Sequence, residues 1–158
     1  MLLLKFRATL LAKKLKQSKK KLAIAESCTG GMLASLLTSN TGASQFFDSA
    51  IITYSNEAKI NLLNIDKQII KKYGAVSEET AKAMSKGILS CRRTDYSLAI
   101  TGIAGPKSDS SKKPIGLVYI SFASKDFYLV KKFNFKGSRN KIRKLSCLNA
   151  MQILANNI

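Results

Sequence analysis

The chain has 158 residues, 46% of them apolar, and 27 Lys and Arg against 9 Asp and Glu give it a formal net charge of +18. That length fits one domain burying roughly 70% of its unfolded surface, and the scarcity of Gly and Pro argues against wholesale disorder. Histidine is absent and Cys28, Cys91 and Cys147 are odd in number and widely spaced, which removes imidazole-based hydrolases, His or four-cysteine zinc sites and a disulfide framework, and fits a reducing cytoplasm.

Met1-Leu-Leu-Leu is cut short by Lys5 and Arg7 and is too brief for a signal peptide. Leu3, Phe6, Leu10, Leu11 and Leu15 fall at helical spacing and predict an amphipathic helix over residues 2–18 with a basic outer face. Lys13, Lys14, Lys16, Lys19, Lys20 and Lys21 form one basic cluster, and residues 131–144 hold a second. A solvated basic surface is the simpler reading, because no nucleic-acid-binding signature accompanies the charge.

Leu22–Ala25 reads as a short buried strand, Thr29-Gly-Gly31 as a turn, and Met32–Thr38 as a helix. Residues 27–47 carry no charge, yet Gly30, Gly31, Asn40, Gly42 and many hydroxyls exclude a membrane span. Phe46–Tyr54 is expected as a strand. Ser55 caps a helix through Leu63, Asp66 opens a short one to Lys72, and Ser77 starts one running to about Cys91. Tyr96–Thr101 is an apolar strand, 107–113 a polar loop, Ile115–Ala123 and Phe127–Phe135 a hairpin, and Ser138–Ala155 a final helix. Strands alternating with helices, then a hairpin, predict a three-layer α/β/α sandwich on a mixed, mostly parallel sheet, with residues 1–158 as one domain.

Ligands in open α/β sheets bind beyond the carboxyl ends of strands. Three such ends carry unusual loops: Ala25-Glu-Ser-Cys-Thr-Gly-Gly31, Tyr54-Ser-Asn-Glu-Ala-Lys59 and Thr101-Gly-Ile-Ala-Gly-Pro106. The first suits an anion at a helix start or is a plain tight turn. Without histidine, a hydrolase needs another base, and Ser with Lys is the obvious pairing. At an ordinary pKa of about 10.4 only about 0.04% of a lysine is neutral at pH 7, whereas about 8 gives about 10%. Lys59 is placed for that shift, near the first turn of a helix, where the dipole disfavours an ammonium. Glu57 opposes it.

Those loops, with Tyr73-Gly-Ala-Val-Ser77 and Lys113-Pro-Ile-Gly116, resemble in order and spacing the motifs of the CinA C-terminal family over roughly residues 8–156. Its stand-alone members are nicotinamide-nucleotide amidohydrolases. The resemblance implies metal-free and cofactor-free hydrolysis of nicotinamide mononucleotide to nicotinate mononucleotide and ammonia by a Ser/Lys mechanism, in a cytoplasmic homodimer. Neither membrane nor nucleic acid is expected as a partner. By the same resemblance the nucleophile matches Ser44 in Thr41-Gly-Ala-Ser44 and the base matches Lys59. Ser27, Tyr54 and Thr101 match supporting hydroxyls, and Arg139 an arginine of the last helix. Tyr54 or Thr101 would relay a proton or orient Lys59. Thr29, Gly30, Gly31, Gly102 and Arg139 would bind substrate, with Arg139 and the Gly30-Gly31 helix start on the ribose phosphate. Ser27 is the main rival nucleophile, and Cys28, lacking a histidine partner, a weaker one. The loop after Pro106 lacks the Gly-Gly pair of many relatives, and the larger N-terminal domain that some relatives carry is not expected. Alternatives are a catalytically degenerate basic member that binds nucleic acid, and an amidase for another small amide.

Overall fold

Period-two alternation along a strand sends successive side chains to opposite faces. In the first strand, β1 (Leu22–Glu26), Leu22 and Ile24 point to one side while Ala23 and Ala25 point to the other. The computed structural model describes residues 1–108 and 112–158, so the polar loop expected over 107–113 lies in part outside the described residues. The other strands are β2 (Phe47–Ile52), β3 (Tyr96–Gly102), β4 (Leu117–Ser124) and β5 (Tyr128–Asn134), in the order β2-β1-β3-β4-β5. β1 pairs parallel with both β2 and β3; β4 is antiparallel to β3 and to β5, so four strands run one way and β4 the other.

The helices are α1 (Leu2–Ser18), α2 (Met32–Thr38), α3 (Asn56–Leu63), α4 (Lys67–Tyr73), α5 (Glu78–Arg92) and α6 (Arg139–Asn157). On one face, Leu22, Ile24, Leu98, Ile100, Val118, Ile120 and Phe122 form the main core with α1, α2 and α6. On the other, Ala23, Ala25 and Ala99 meet Met84 and Ile88 of α5 and Leu63 of α3. Small side chains on that face let α5 lie close to the sheet, and Ser85 Oγ hydrogen-bonds Ser121 Oγ at 2.6 Å across the interface. The sandwich expected from the pattern is therefore the fold. No helix among the described residues is long and apolar enough to cross a membrane.

The helix starts follow ordinary capping: the side chains of Ser55, Asp66, Ser77 and Ser138 each accept a backbone N–H of the first turn. Several boundaries differ from expectation: β4 starts at Leu117 rather than Ile115, and α6 runs to Asn157 rather than Ala155. A single 3-10 turn, Ala43–Gln45, precedes β2. β2 also ends at Ile52, because the Thr53 carbonyl accepts from the Lys59 side chain instead of a neighbouring strand. The chain leaves β1 through α2 on one face to β2, and leaves β2 through α3, α4 and α5 on the other face to β3. That reversal opens a crevice at the carboxyl ends of β1 and β3.

Candidate active site

Ser27 is the first residue beyond β1. Its N–H donates to the Ile100 carbonyl of β3 at 3.0 Å, and its carbonyl accepts from Gly30 N–H at 3.1 Å, so the turn is tied to the neighbouring strand and to itself. Glu26 lies fully buried just before it. Its carboxylate accepts from the N–H groups of Gly31 at 3.0 Å, Leu33 at 3.2 Å and Ala34 at 2.8 Å. A carboxylate thus already fills the start of α2, where the dipole favours negative charge. Gly31 sits at φ +88°, a left-handed conformation that glycine tolerates best.

Lys59 belongs to the first turn of α3, which Ser55 caps at 3.0 Å from Ala58 N–H. Only 1% of Lys59 is exposed. Its Nζ lies 3.1 Å from Ser27 Oγ and donates to the Thr53 carbonyl at 2.8 Å. Burial pushes its pKa down to about 8, opposed weakly by Cys28. An ammonium has three N–H donors, whereas a neutral amine can accept from the Ser27 hydroxyl while donating to Thr53. The two partners here suit the neutral form.

Cys28 lines the same cleft, but burial pushes its thiol up to about 11, so it is a thiol at neutral pH and a poor nucleophile. Among the described residues, the N–H groups of Cys28 and Thr29 donate to no carbonyl or side-chain oxygen. Cys28 lines the cleft, whereas Thr29 is fully buried and does not.

The cleft measures about 500 Å³ and brings together Ser27, Tyr54, Lys59, Thr101, Gly102 and Arg139. Tyr54 does not touch Lys59; it is 59% exposed, and its hydroxyl accepts from Arg139 at 2.7 Å. Arg139 also donates to the Gly105 carbonyl at 2.6 Å and so bridges the cleft mouth. Thr101 does not orient Lys59 either, since its hydroxyl donates to the Ala75 carbonyl at 2.7 Å. Gly102 is required by close packing: a Cβ there would stand 2.7 Å from Val118. Lys107 adds another cation, and among the described residues no carboxylate lines the cleft.

Several expected residues lie elsewhere. Ser44 is exposed on the 3-10 turn before β2, and its carbonyl accepts from Lys21 at 2.7 Å, at the amino end of β1. Lys59 follows the carboxyl end of β2, and a six-residue strand spans roughly 20 Å, so the Ser44–Lys59 pairing is not formed in this chain. Thr29 faces the other layer, with its carbonyl accepting from Arg143 at 2.6 Å. Gly30 and Gly31 line a separate depression beside Arg143, and with Gly31 N–H already bound to Glu26 the α2 start offers no free seat for a phosphate. Glu26 caps α2 from outside the helix, a role signalled in the sequence only by an acid just before a Gly-Gly helix entry. Nothing in the local pattern marks Arg143 or the Thr53 carbonyl as part of this neighbourhood.

A wider groove of about 770 Å³ opens at the opposite end of the sheet. Its Lys20 is held charged by a hydrogen bond to Asp95 at 2.9 Å and cannot serve as a base near neutral pH.

The comparisons agree with this architecture. A "CinA-like protein" of Syntrophomonas wolfei is 46% identical over 135 residues, covering 85% of this chain and 32% of that protein. A "CinA-like protein" of Endomicrobium trichonymphae is 44% identical over 147 residues, covering 93% of this chain and 34% of that protein. The chain thus spans about a third of the length of these curated relatives. The crystal structure of "competence/damage inducible protein CihA" from Agrobacterium tumefaciens superposes with a TM-score of 0.93 at 32% identity, covering 97% of this chain and 94% of that one. The family model described as the CinA C-terminal domain matches residues 5–158, and the chain belongs to that family.

Proposed function

We propose that this chain is an amidohydrolase of nicotinamide mononucleotide, with Ser27 as nucleophile and Lys59 as base. The observation that carries this reading is the 3.1 Å contact between Ser27 Oγ and a buried lysine whose pKa is lowered to about 8. At that value roughly 10% of the lysine is neutral at pH 7, against almost none for an ordinary lysine.

Lys59 takes the proton of Ser27 as its oxygen attacks the carboxamide carbon. The N–H group of Cys28, at the cleft wall, stabilises the developing oxyanion, a contribution worth about 3 kcal/mol in comparable sites. Lys59 then delivers the proton to the leaving nitrogen, which departs as ammonia and leaves an ester on Ser27. Water, deprotonated by the same amine, cleaves that ester to the carboxylic acid and restores the serine. The cations Arg139 and Lys107 in the lining suit the phosphate of a mononucleotide.

The test is ammonia release from nicotinamide mononucleotide, with the acid product identified by mass spectrometry. Ser27→Ala should lower kcat at least about 1000-fold, while Ser44→Ala should stay within about twofold of wild type. Full turnover by Ser27→Ala would remove the nucleophile assigned here.

A second reading is a catalytically silent member that uses its basic surface on nucleic acid. One observation favours it: α1 and α6 carry Lys and Arg but no Asp or Glu, and α2 between them is uncharged, so every charged side chain of these three helices is a cation. Salt-dependent DNA binding with no amide hydrolysis would decide for it.

A further inference from the structure

Neither Tyr73-Gly-Ala-Val-Ser77 nor Lys113-Pro-Ile-Gly116 has a part in the chemistry above, yet the fold brings one onto the other. Gly74, Ala75 and Val76 line one lip of the cleft; Gly105, Lys107 and Ser108 line the other. Lys113 Nζ donates to the Tyr73 carbonyl at 2.9 Å and to the Val76 carbonyl at 2.6 Å. Its own carbonyl accepts from the hydroxyl of Ser108. The carbonyls between are occupied too. Gly74 accepts from Ser77 and Thr80 at 3.0 and 2.7 Å, and Ala75 accepts from Thr101.

On the carboxyl side of Lys113 the backbone is closely packed. Three residues on, Gly116 adopts φ +92°, and a Cβ there would lie 1.9 Å from the Phe135 carbonyl oxygen. Gly116 N–H also donates to Ile103 at 2.7 Å. A half-buried lysine held by two carbonyls and paired with no carboxylate among the described residues adds little as an ion pair. What it does is join two segments far apart in sequence that face each other across one opening.

We propose that Lys113 is a positioning residue whose side chain ties the two lips of the candidate cleft together and so sets substrate affinity without touching the reacting atoms. This rests on the amidase reading. Ser27 and Lys59 are held by β1, β3 and Thr53, none of which Lys113 contacts, so loosening the lips changes ground-state binding and leaves the base as it was.

The experiment compares wild type, Lys113→Met and Lys113→Arg. For Lys113→Met, KM for nicotinamide mononucleotide should rise about tenfold with kcat within about threefold, and the inflection of kcat/KM against pH should stay in place. Lys113→Arg keeps a cationic donor and should restore KM to within about threefold of wild type. Hydrogen exchange of the Ala75, Val76 and Ser77 amides should quicken in Lys113→Met whether or not the protein turns over that nucleotide, which separates failure of the tie from failure of the amidase reading. Unchanged KM with unchanged exchange would overturn the proposal, as would a moved pH inflection. Should Lys113→Met not fold, Lys113→Gln carries the same measurements and the same criteria.

Discussion

A lysine amine inside a protein is costly while charged and useful once neutral, and Lys59 combines both properties. Its folded pKa of about 8 lies below the ordinary 10.5. Between those values the unfolded chain binds more protons than the folded one, so stability rises with pH across that window. Below pH 8 the buried charge exerts its full penalty, about 3 kcal/mol, which two hydrogen bonds of about 1 kcal/mol each offset in part. Lys59→Met should therefore be inactive yet more stable than wild type by about 1 kcal/mol at pH 7, an advantage that disappears by about pH 10. Urea titrations across that range check it; a Met variant less stable at pH 7 would mean that the amine is already neutral there. The same pKa requires kcat/KM of wild type to rise with pH and level off above about 8, and a profile flat from pH 6 to 9 would exclude Lys59 as the free-enzyme base. At this scale the amine was legible from the helix start that carries it, although burial rather than the dipole is the leading cause of its shift. The choice between Ser27 and Ser44 was not, since both are serines in small-residue turns flanking the same helix. Which end of the sheet a turn occupies depends on strand direction, and the residues themselves carry no mark of that.

Among the elements, α5 is the one whose seating depends most on a missing side chain. A Cβ on Gly87 would stand 2.2 Å from the Leu63 carbonyl oxygen, a backbone atom that cannot step aside. Gly87→Ala should destabilise the protein by about 1–3 kcal/mol, despite the better helix propensity of alanine. A thermal melt would register that as a fall of several degrees, and a gain in Tm would mean that α5 and α3 can separate freely. Elements were the most readable level of the sequence. Ser55, Asp66, Ser77 and Ser138 announce their helices because a side-chain acceptor before an apolar repeat has few other uses. The continuous apolar runs of β1 and β3 announce strands covered on both faces. The 3-10 turn at Ala43–Gln45 left no such sign, being too short for a period. The end of β2 was overrun because Thr53 and Tyr54 suit a strand by type, while the carbonyl of Thr53 is claimed by Lys59.

For the whole molecule the governing quantity is a charge of +18. Only two ion pairs occur among the described residues, Lys20 with Asp95 and Arg92 with Asp48, both at the surface and each worth under about 1 kcal/mol. Mutual repulsion therefore goes largely uncompensated at low ionic strength. Raising sodium chloride from about 0.1 M to about 1 M shortens the screening length from about 10 Å to about 3 Å and should raise Tm by a few degrees. A Tm that fell over that range would show that favourable pairs outweigh the repulsion. The fold class was evident from the order of strands and helices, and the strand-end loops marked where a cleft would open. The contents of that cleft were less evident, because they come from segments around residues 27, 59, 101 and 139 that only the completed sheet assembles.

The alanine-lined side of that sheet has a mechanical consequence. Ser77 follows directly on the cleft residue Val76 and caps α5, so the cleft wall is joined to the start of that helix. A methyl or two added beneath the helix, as in Ala99→Val, would lift α5 like a shim under a beam and tilt the wall at its end. Repacking deep in the interior would in this way retune an opening that the altered residue never touches.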